Sequence, residues 1–205
     1  MKKTVLLLLA LIGTLMSSSV GAAPNPGVTI SASRPVVVFG QSVTLSGAVS
    51  DRKAGETVTI LSEPLGKSAF SDLATATTTT RGAWSFIAKP TIQTAYRASW
   101  TTATSNAVTV KVRPLVALKL VSATTGTFSV TVTGERAFAG KFVLVERLTS
   151  TGMTILKHVT LDASSSATFT IRLHRGLSRL RAVFPTSQAA PGYITGTSNV
   201  VTVRR

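Results

Sequence analysis

The side chains able to do chemistry are few. Seven carboxylates (Asp51, Glu56, Glu63, Asp72, Glu135, Glu146 and Asp162) and two histidines (His158 and His174) stand in 205 residues that contain no cysteine. The missing cysteine excludes disulfides, thiolate metal sites and thiol nucleophiles. Two histidines without paired spacing make no zinc ligand set. A calcium loop of the Asp-x-Asx-x-Asx-Gly type, a phosphate-cradling glycine loop and a Gly-x-Ser-x-Gly elbow are all absent from the sequence. Most carboxylates lie in or beside turns, and Glu56 and Glu135 read as solvated loop residues. Nothing marks a carboxylate pair set about 5–10 Å apart to flank one glycosidic bond. His158 reads as a surface or strand-edge side chain. No catalytic residue, cofactor or metal ligand is assigned, although abundant serine leaves a Ser-His-Asp set open.

Charge is the stronger chemical feature. Lys and Arg number 22 against 7 Asp and Glu, a formal net charge of +15. The excess is uneven. Residues 24–114 hold 9 basic and 4 acidic residues, and residues 115–205 hold 11 and 3. Arg172, Arg175, Arg179 and Arg181 crowd one short stretch of the second half. Thr168–His174 and Leu177–Phe184, joined by Arg175-Gly176, predict a hairpin. Its inward residues would be Phe169, Ile171 and Leu173 on one strand and Leu180, Ala182 and Phe184 on the other. Arg172, Arg179 and Arg181 would then share the exposed face, with Arg175 at the turn. Arginine grips phosphate and carboxylate bidentately, so this face is the candidate anion site. The alternative is that these arginines are solvated and guard a sheet edge. Basic exported proteins meet anionic envelope polymers, anionic lipids or extracellular DNA. No recognition helix or RNA-binding aromatic motif supports sequence-specific nucleic-acid binding, and the excess charge could equally serve solubility alone.

The elements that must position these residues are strands. Thr, Val and Ile number 32, 23 and 8, and their branched side chains favour the pleated strand. Lys2 and Lys3, the apolar run Val5 to Ile12, and Val20-Gly21-Ala22 have the layout of a secretory leader cut after Ala22. Residues 1–22 are therefore expected to be a signal peptide. No second apolar span follows it in the sequence, so the mature chain is expected to be secreted or to sit in the cell envelope without crossing a membrane. Beyond the leader the sequence repeats. Ala54-Gly55-Glu56-Thr57-Val58-Thr59-Ile60 corresponds to Ala139-Gly140-Lys141-Phe142-Val143-Leu144-Val145, at an offset of 85. Val43-Thr44-Leu45-Ser46-Gly47 corresponds to Val130-Thr131-Val132-Thr133-Gly134, and Tyr96-Arg97-Ala98 to Leu180-Arg181-Ala182. Thr104-Ser105-Asn106 corresponds to Thr197-Ser198-Asn199. The second copy carries an insertion, Ser187 to Gly196.

Each copy reads as about seven short strands with frequent turns, the pattern of a β-sandwich. Val28–Ala32 and Val36–Phe39, split by Arg34-Pro35, predict a first strand that breaks or switches sheets. The expected domains are 24–114 and 115–205. Val112-Arg113-Pro114-Leu115 joins them without a Gly/Ser linker, so hinge freedom should be limited.

The runs Gly40-Gln41-Ser42-Val43-Thr44-Leu45-Ser46-Gly47, Ala54-Gly55-Glu56-Thr57-Val58, Gly82-Ala83-Trp84-Ser85-Phe86 and Ser105-Asn106 resemble the immunoglobulin-like and fibronectin type III-like repeats of exported bacterial proteins. Tyr96-Arg97-Ala98 is similar to the tyrosine-corner position of antibody-type domains, with Ala98 where a Cys would stand. Trp84 and Trp100 are expected in the core of copy one, the alternative being exposed sugar-stacking platforms. The resemblance implies an all-β fold of two tandem immunoglobulin-like sandwiches and a non-catalytic role as spacer, adhesion surface or binding unit. An anionic envelope polymer or a surface protein is the partner implied by charge and fold together. Two alternatives stand beside this reading. One is an inhibitor-type or protein-binding module presenting Tyr193 and Ile194 on the 187–196 loop, which could instead fold back on the sandwich edge. The other is a secreted hydrolase.

Overall fold

A computed structural model describes residues 27–173 and 175–204. The expected leader with its cut after Ala22, and His174, lie outside the described residues.

The first half is built from β1 (Ser31–Ala32), β2 (Val36–Val38), β3 (Val43–Ala48), β4 (Thr57–Pro64), β5 (Ser71–Thr77), β6 (Ala83–Ala88), β7 (Thr94–Trp100), β8 (Ala103–Thr104) and β9 (Val108–Arg113). One sheet has the order β1-β3-β6. The other runs β2-β9-β7-β4-β5, with β8 on β7. The first strand does switch sheets. Pro35 lacks an N–H and fixes its own φ, so the ladder with β3 cannot continue through it. The chain rejoins as β2, parallel to β9, with Val36 opposite Lys111 and Val38 opposite Arg113.

The second half contains β10 (Leu115–Ser122), β11 (Thr127–Thr133), β12 (Phe142–Thr149), β13 (Gly152–Thr160), β14 (Ser166–Thr170), β15 (Leu177–Phe184), β16 (Gly196–Thr197) and β17 (Val201–Arg204). A short helix, α1 (Thr186–Ala189), begins the inserted segment. The sheets are β10-β11-β14 and β13-β12-β15, where β15 also carries β16 and β17. The fold is all-β, with two immunoglobulin-like sandwiches in tandem. Among the described residues no strand of one half pairs with a strand of the other.

Alternation places the cores. On β7, Tyr96, Ala98 and Trp100 are buried, and on the neighbouring strand β4 Val58 and Ile60 share their inner face. Trp84 is 3% exposed, so it is a core residue and not a stacking platform. In the second half Phe128, Val130 and Phe169 meet Leu180, Ala182 and Phe184. The repeat extends to irregularities of the backbone. The β4–β5 ladder shifts register between Ile60 and Leu61, and the β12–β13 ladder shifts between Val145 and Glu146, at equivalent places. The repeated Ser-Asn pair has the same duty twice. Ser105 Oγ accepts the Ala98 N–H at 2.9 Å, and Ser198 Oγ accepts the Ala182 N–H at 2.9 Å. Each hydroxyl replaces a ladder partner where the last strand departs, keeping a buried backbone donor satisfied.

The expected hairpin of 168–174 with 177–184 does not form. β14 pairs with β11, and β15 pairs with β12 and β17, so the two strands stand in opposite sheets. Phe169, Ile171 and Leu173 and the set Leu180, Ala182 and Phe184 are all buried. They face one core from two walls, and period-two alternation reports burial whether or not the strands are neighbours.

Candidate functional site

The outer face of the β13–β12–β15–β17 sheet carries two of the candidate residues, Arg179 and Arg181. Across it, Leu144 lies between His158 and Val183, Glu146 between Ile155 and Arg181, and Leu148 between Met153 and Arg179. Leu177 stands opposite Arg204. Arg181 Nε donates to Glu146 Oε2 at 2.8 Å, and its guanidinium also reaches Met153 Sδ at 3.2 Å. Glu146 is 6% exposed. A carboxylate that deep in an outward face is tolerable because the guanidinium offsets its desolvation.

The four arginines of the expected anion site are therefore not one cluster. Arg172 follows β14 in the opposite sheet, and Arg181 is engaged by Glu146. Arg175 and Arg179 are exposed at the start of β15. Their companion is Arg204, also exposed and diagonal to Arg179 across the β15–β17 ladder. Sequence reading missed Arg204 because only the pairing of β17 with β15 brings it there. Among the described residues the ion pairs are Arg181–Glu146 and the surface pair Lys53–Asp51.

The other titratable groups serve the fold. Asp162 accepts hydrogen bonds from the Ser164 hydroxyl at 2.7 Å and the Ser164 and Ser166 N–H groups at 2.8 and 2.9 Å. The Ser164 hydroxyl, then the Ser166 N–H, hold its carboxyl below the usual value. Glu56 and Glu135 are more than solvated loop residues. Glu56 accepts the Trp100 indole N–H at 3.2 Å, and Glu135 accepts the Thr91 hydroxyl at 2.7 Å. His158, on the edge strand β13, stacks on Phe142 with ring centroids 5.0 Å apart. Among the described residues no three His, Asp or Glu side chains are grouped to hold a metal.

The 187–196 loop folds onto the first half. Gln93 N donates to Gly192 O at 2.9 Å, and Ile194 N donates to Val112 O at 3.0 Å. Arg113 donates to Thr195 O at 3.3 Å. Tyr193 is 3% exposed. Its hydroxyl donates to Thr91 O and accepts the Glu135 N–H, both at 2.8 Å. Its ring packs edge-on against Phe138, and Arg136 lies over both rings while donating to Ala189 O at 2.7 Å. Burial raises the Tyr193 hydroxyl above the usual tyrosine value, with the Glu135 N–H acting in the opposite direction. Gly192 has a φ of +91°, and a Cβ there would strike Ile92. This glycine is what lets the loop lie so close to the other half.

No protein-family model and no curated protein matches the chain. Among solved structures it is similar to a tetra-tandem repeat in the extending region of a large adhesion protein. The identity is 15% over 87% of this chain and 49% of that one, with a TM-score of 0.38. It is also similar to the FN1–FN3 domains of chicken CNTN1, at 13% identity over 88% of this chain and 68% of that one, with a TM-score of 0.27. The chain spans about half the length of the first of these.

Proposed function

We propose that the chain is an exported, non-catalytic protein of two tandem modules, 24–114 and 115–205, that acts by contact in the cell envelope. The second module makes the contact, and an anionic envelope polymer is the partner class its charge favours. The observation that carries this reading is the exposed pair Arg179 and Arg204, diagonal on one end of a single sheet, with exposed Arg175 two residues before β15. The only carboxylate that β12, β13, β15 and β17 supply is Glu146, and it is already paired with Arg181. Like charges placed side by side on a sheet repel, and a polyanion relieves that repulsion. Engagement of Tyr193 and Ile194 by the first half supports placing the contact here and not on the 187–196 loop. Export rests on the leader layout of residues 1–22.

Pull-down of the secreted protein on isolated envelope, eluted with a salt gradient, tests the reading. The material should begin at Ala23 on N-terminal sequencing and should elute from wall polymer as salt screens its charges. Passage through the envelope fraction at low salt would overturn it.

A further inference from the structure

We propose that the outer face of the β13–β12–β15–β17 sheet docks on a lipid bilayer carrying anionic headgroups. The inference rests on the reading of the second module as the contact-making one, and it names a partner for that face.

The repeat supplies an internal control. The corresponding sheet of the first half presents Thr57, Thr59, Glu63, Asp72 and Ser99 outward. Their counterparts by sequence offset and ladder register are Phe142, Leu144, Leu148, Ile155 and Val183. Five polar positions have become five apolar ones on the same backbone plan. A sandwich needs only its inner faces apolar, so the fold does not require this change. Met153 is 57% exposed, Ile155 51% and Leu177 66%. Two positions run the other way: Leu61 to Glu146, whose carboxylate Arg181 neutralises, and Ala95 to Arg179, which adds a cation to the face.

Aliphatic side chains beside Arg175, Arg179 and Arg204 match the composition of an interfacial anchor. The aliphatics enter the headgroup–acyl boundary while the guanidinium groups hold headgroup phosphates. A sugar or phosphate polymer engages the arginines alone and leaves Met153, Ile155 and Leu177 without a partner. A folded protein partner anchors through residues that fill pockets. Among the described residues, cavities open on the first half around Pro64–Lys67 with Gln93 and around Ser68–Ser71. A fluid bilayer needs no pocket.

The absence of native cysteine allows a direct test on the protein as secreted. Ile155→Cys and, in the first half, the similarly exposed Leu73→Cys are labelled with an environment-sensitive dye. Each is mixed with vesicles of phosphatidylcholine alone or with a quarter phosphatidylglycerol. Flotation is measured in parallel for wild type, for Met153→Ser with Ile155→Ser and Leu177→Ser, and for Arg179→Ser with Arg204→Ser. The expected result is flotation only with anionic vesicles and a blue shift at position 155 but not at 73. Each multiple variant should lose about tenfold or more in vesicle affinity. All substituted side chains are exposed, and an unchanged far-ultraviolet circular dichroism spectrum and melting curve verify folding. No flotation of wild type, equal blue shifts at both labels, or flotation insensitive to the Met153/Ile155/Leu177 variant would each overturn the inference. So would self-association abolished by that variant, which would assign the face to a second copy. Retention on wall polymer without flotation would overturn the bilayer and leave the proposed function standing. Loss of both would overturn both.

Discussion

The hydroxyl of Tyr193 donates to the carbonyl of Thr91 across 2.8 Å, joining residues 102 positions apart and on opposite sides of the Pro114 junction. The same oxygen accepts the Glu135 N–H. One side chain thus satisfies a backbone acceptor of the first half and a backbone donor of the second. The single residue between β9 and β10 limits the hinge, and Tyr193 closes it from the side.

Tyr193→Phe removes both bonds and leaves the ring packing in place. The expected loss is about 1–3 kcal/mol, because a partly buried donor and acceptor are left without partners. Urea unfolding followed by far-ultraviolet circular dichroism measures it. The substitution should also change the alkaline limb of stability. Burial raises the Tyr193 hydroxyl above 10.0, so the folded chain keeps a proton that the unfolded chain releases. That stabilisation is complete below pH 10 and is lost as pH climbs through the folded value. Tyr96 is raised in the same direction, chiefly by burial, so the Phe variant should retain a smaller alkaline loss.

Gly192→Ala should be more costly than Gly140→Ala. Both glycines have positive φ, +91° and +73°, but only at Gly192 does the added Cβ meet another residue, Ile92. Backbone strain alone is worth roughly 1–3 kcal/mol at such positions. The Gly192 variant should add a loosening of the loop from the first half, visible as faster proteolysis within 187–196. Equal stability loss and equal cleavage in the two variants would contradict the close approach described for the loop.

The Glu146–Arg181 pair is intermediate between surface and core, with side-chain exposures of 8% and 26%. Exposed pairs are worth under about 1 kcal/mol, and breaking fully buried ones costs about 3–5. A double-mutant cycle of Glu146→Gln and Arg181→Met should therefore give a coupling of about 1–2 kcal/mol. A coupling near zero would mean that Arg181 is as free as Arg179.

Much of this fold was legible before the structure. Arg34-Pro35 announced a break, and β1 and β2 do lie in different sheets. The Ser-Asn repeat marked equivalent strand departures, and Ser105 and Ser198 make equivalent bonds. Partner choice between strands was not legible. Phe169, Ile171 and Leu173 alternate with polar residues in either a hairpin or two facing walls, so the arginine cluster built on the hairpin came apart. Arg204 and Ile155 had no local mark, because their places on the outer face depend on pairing across distant strands. Tyr193 was visible as a loop aromatic, but its docking on Thr91 depends on how two modules meet.

The most direct test of the account removes charge from one place or another. Arg175→Ser with Arg179→Ser and Arg204→Ser is compared with Arg34→Ser, Lys67→Ser and Lys89→Ser, three exposed cations of the first half. The measurement is the salt concentration that releases each protein from isolated envelope. The account predicts release at clearly lower salt for the second-half variant and near wild type for the first-half one, though both lose three charges. Equal shifts would show that total charge alone drives retention, contradicting a contact surface on the second module.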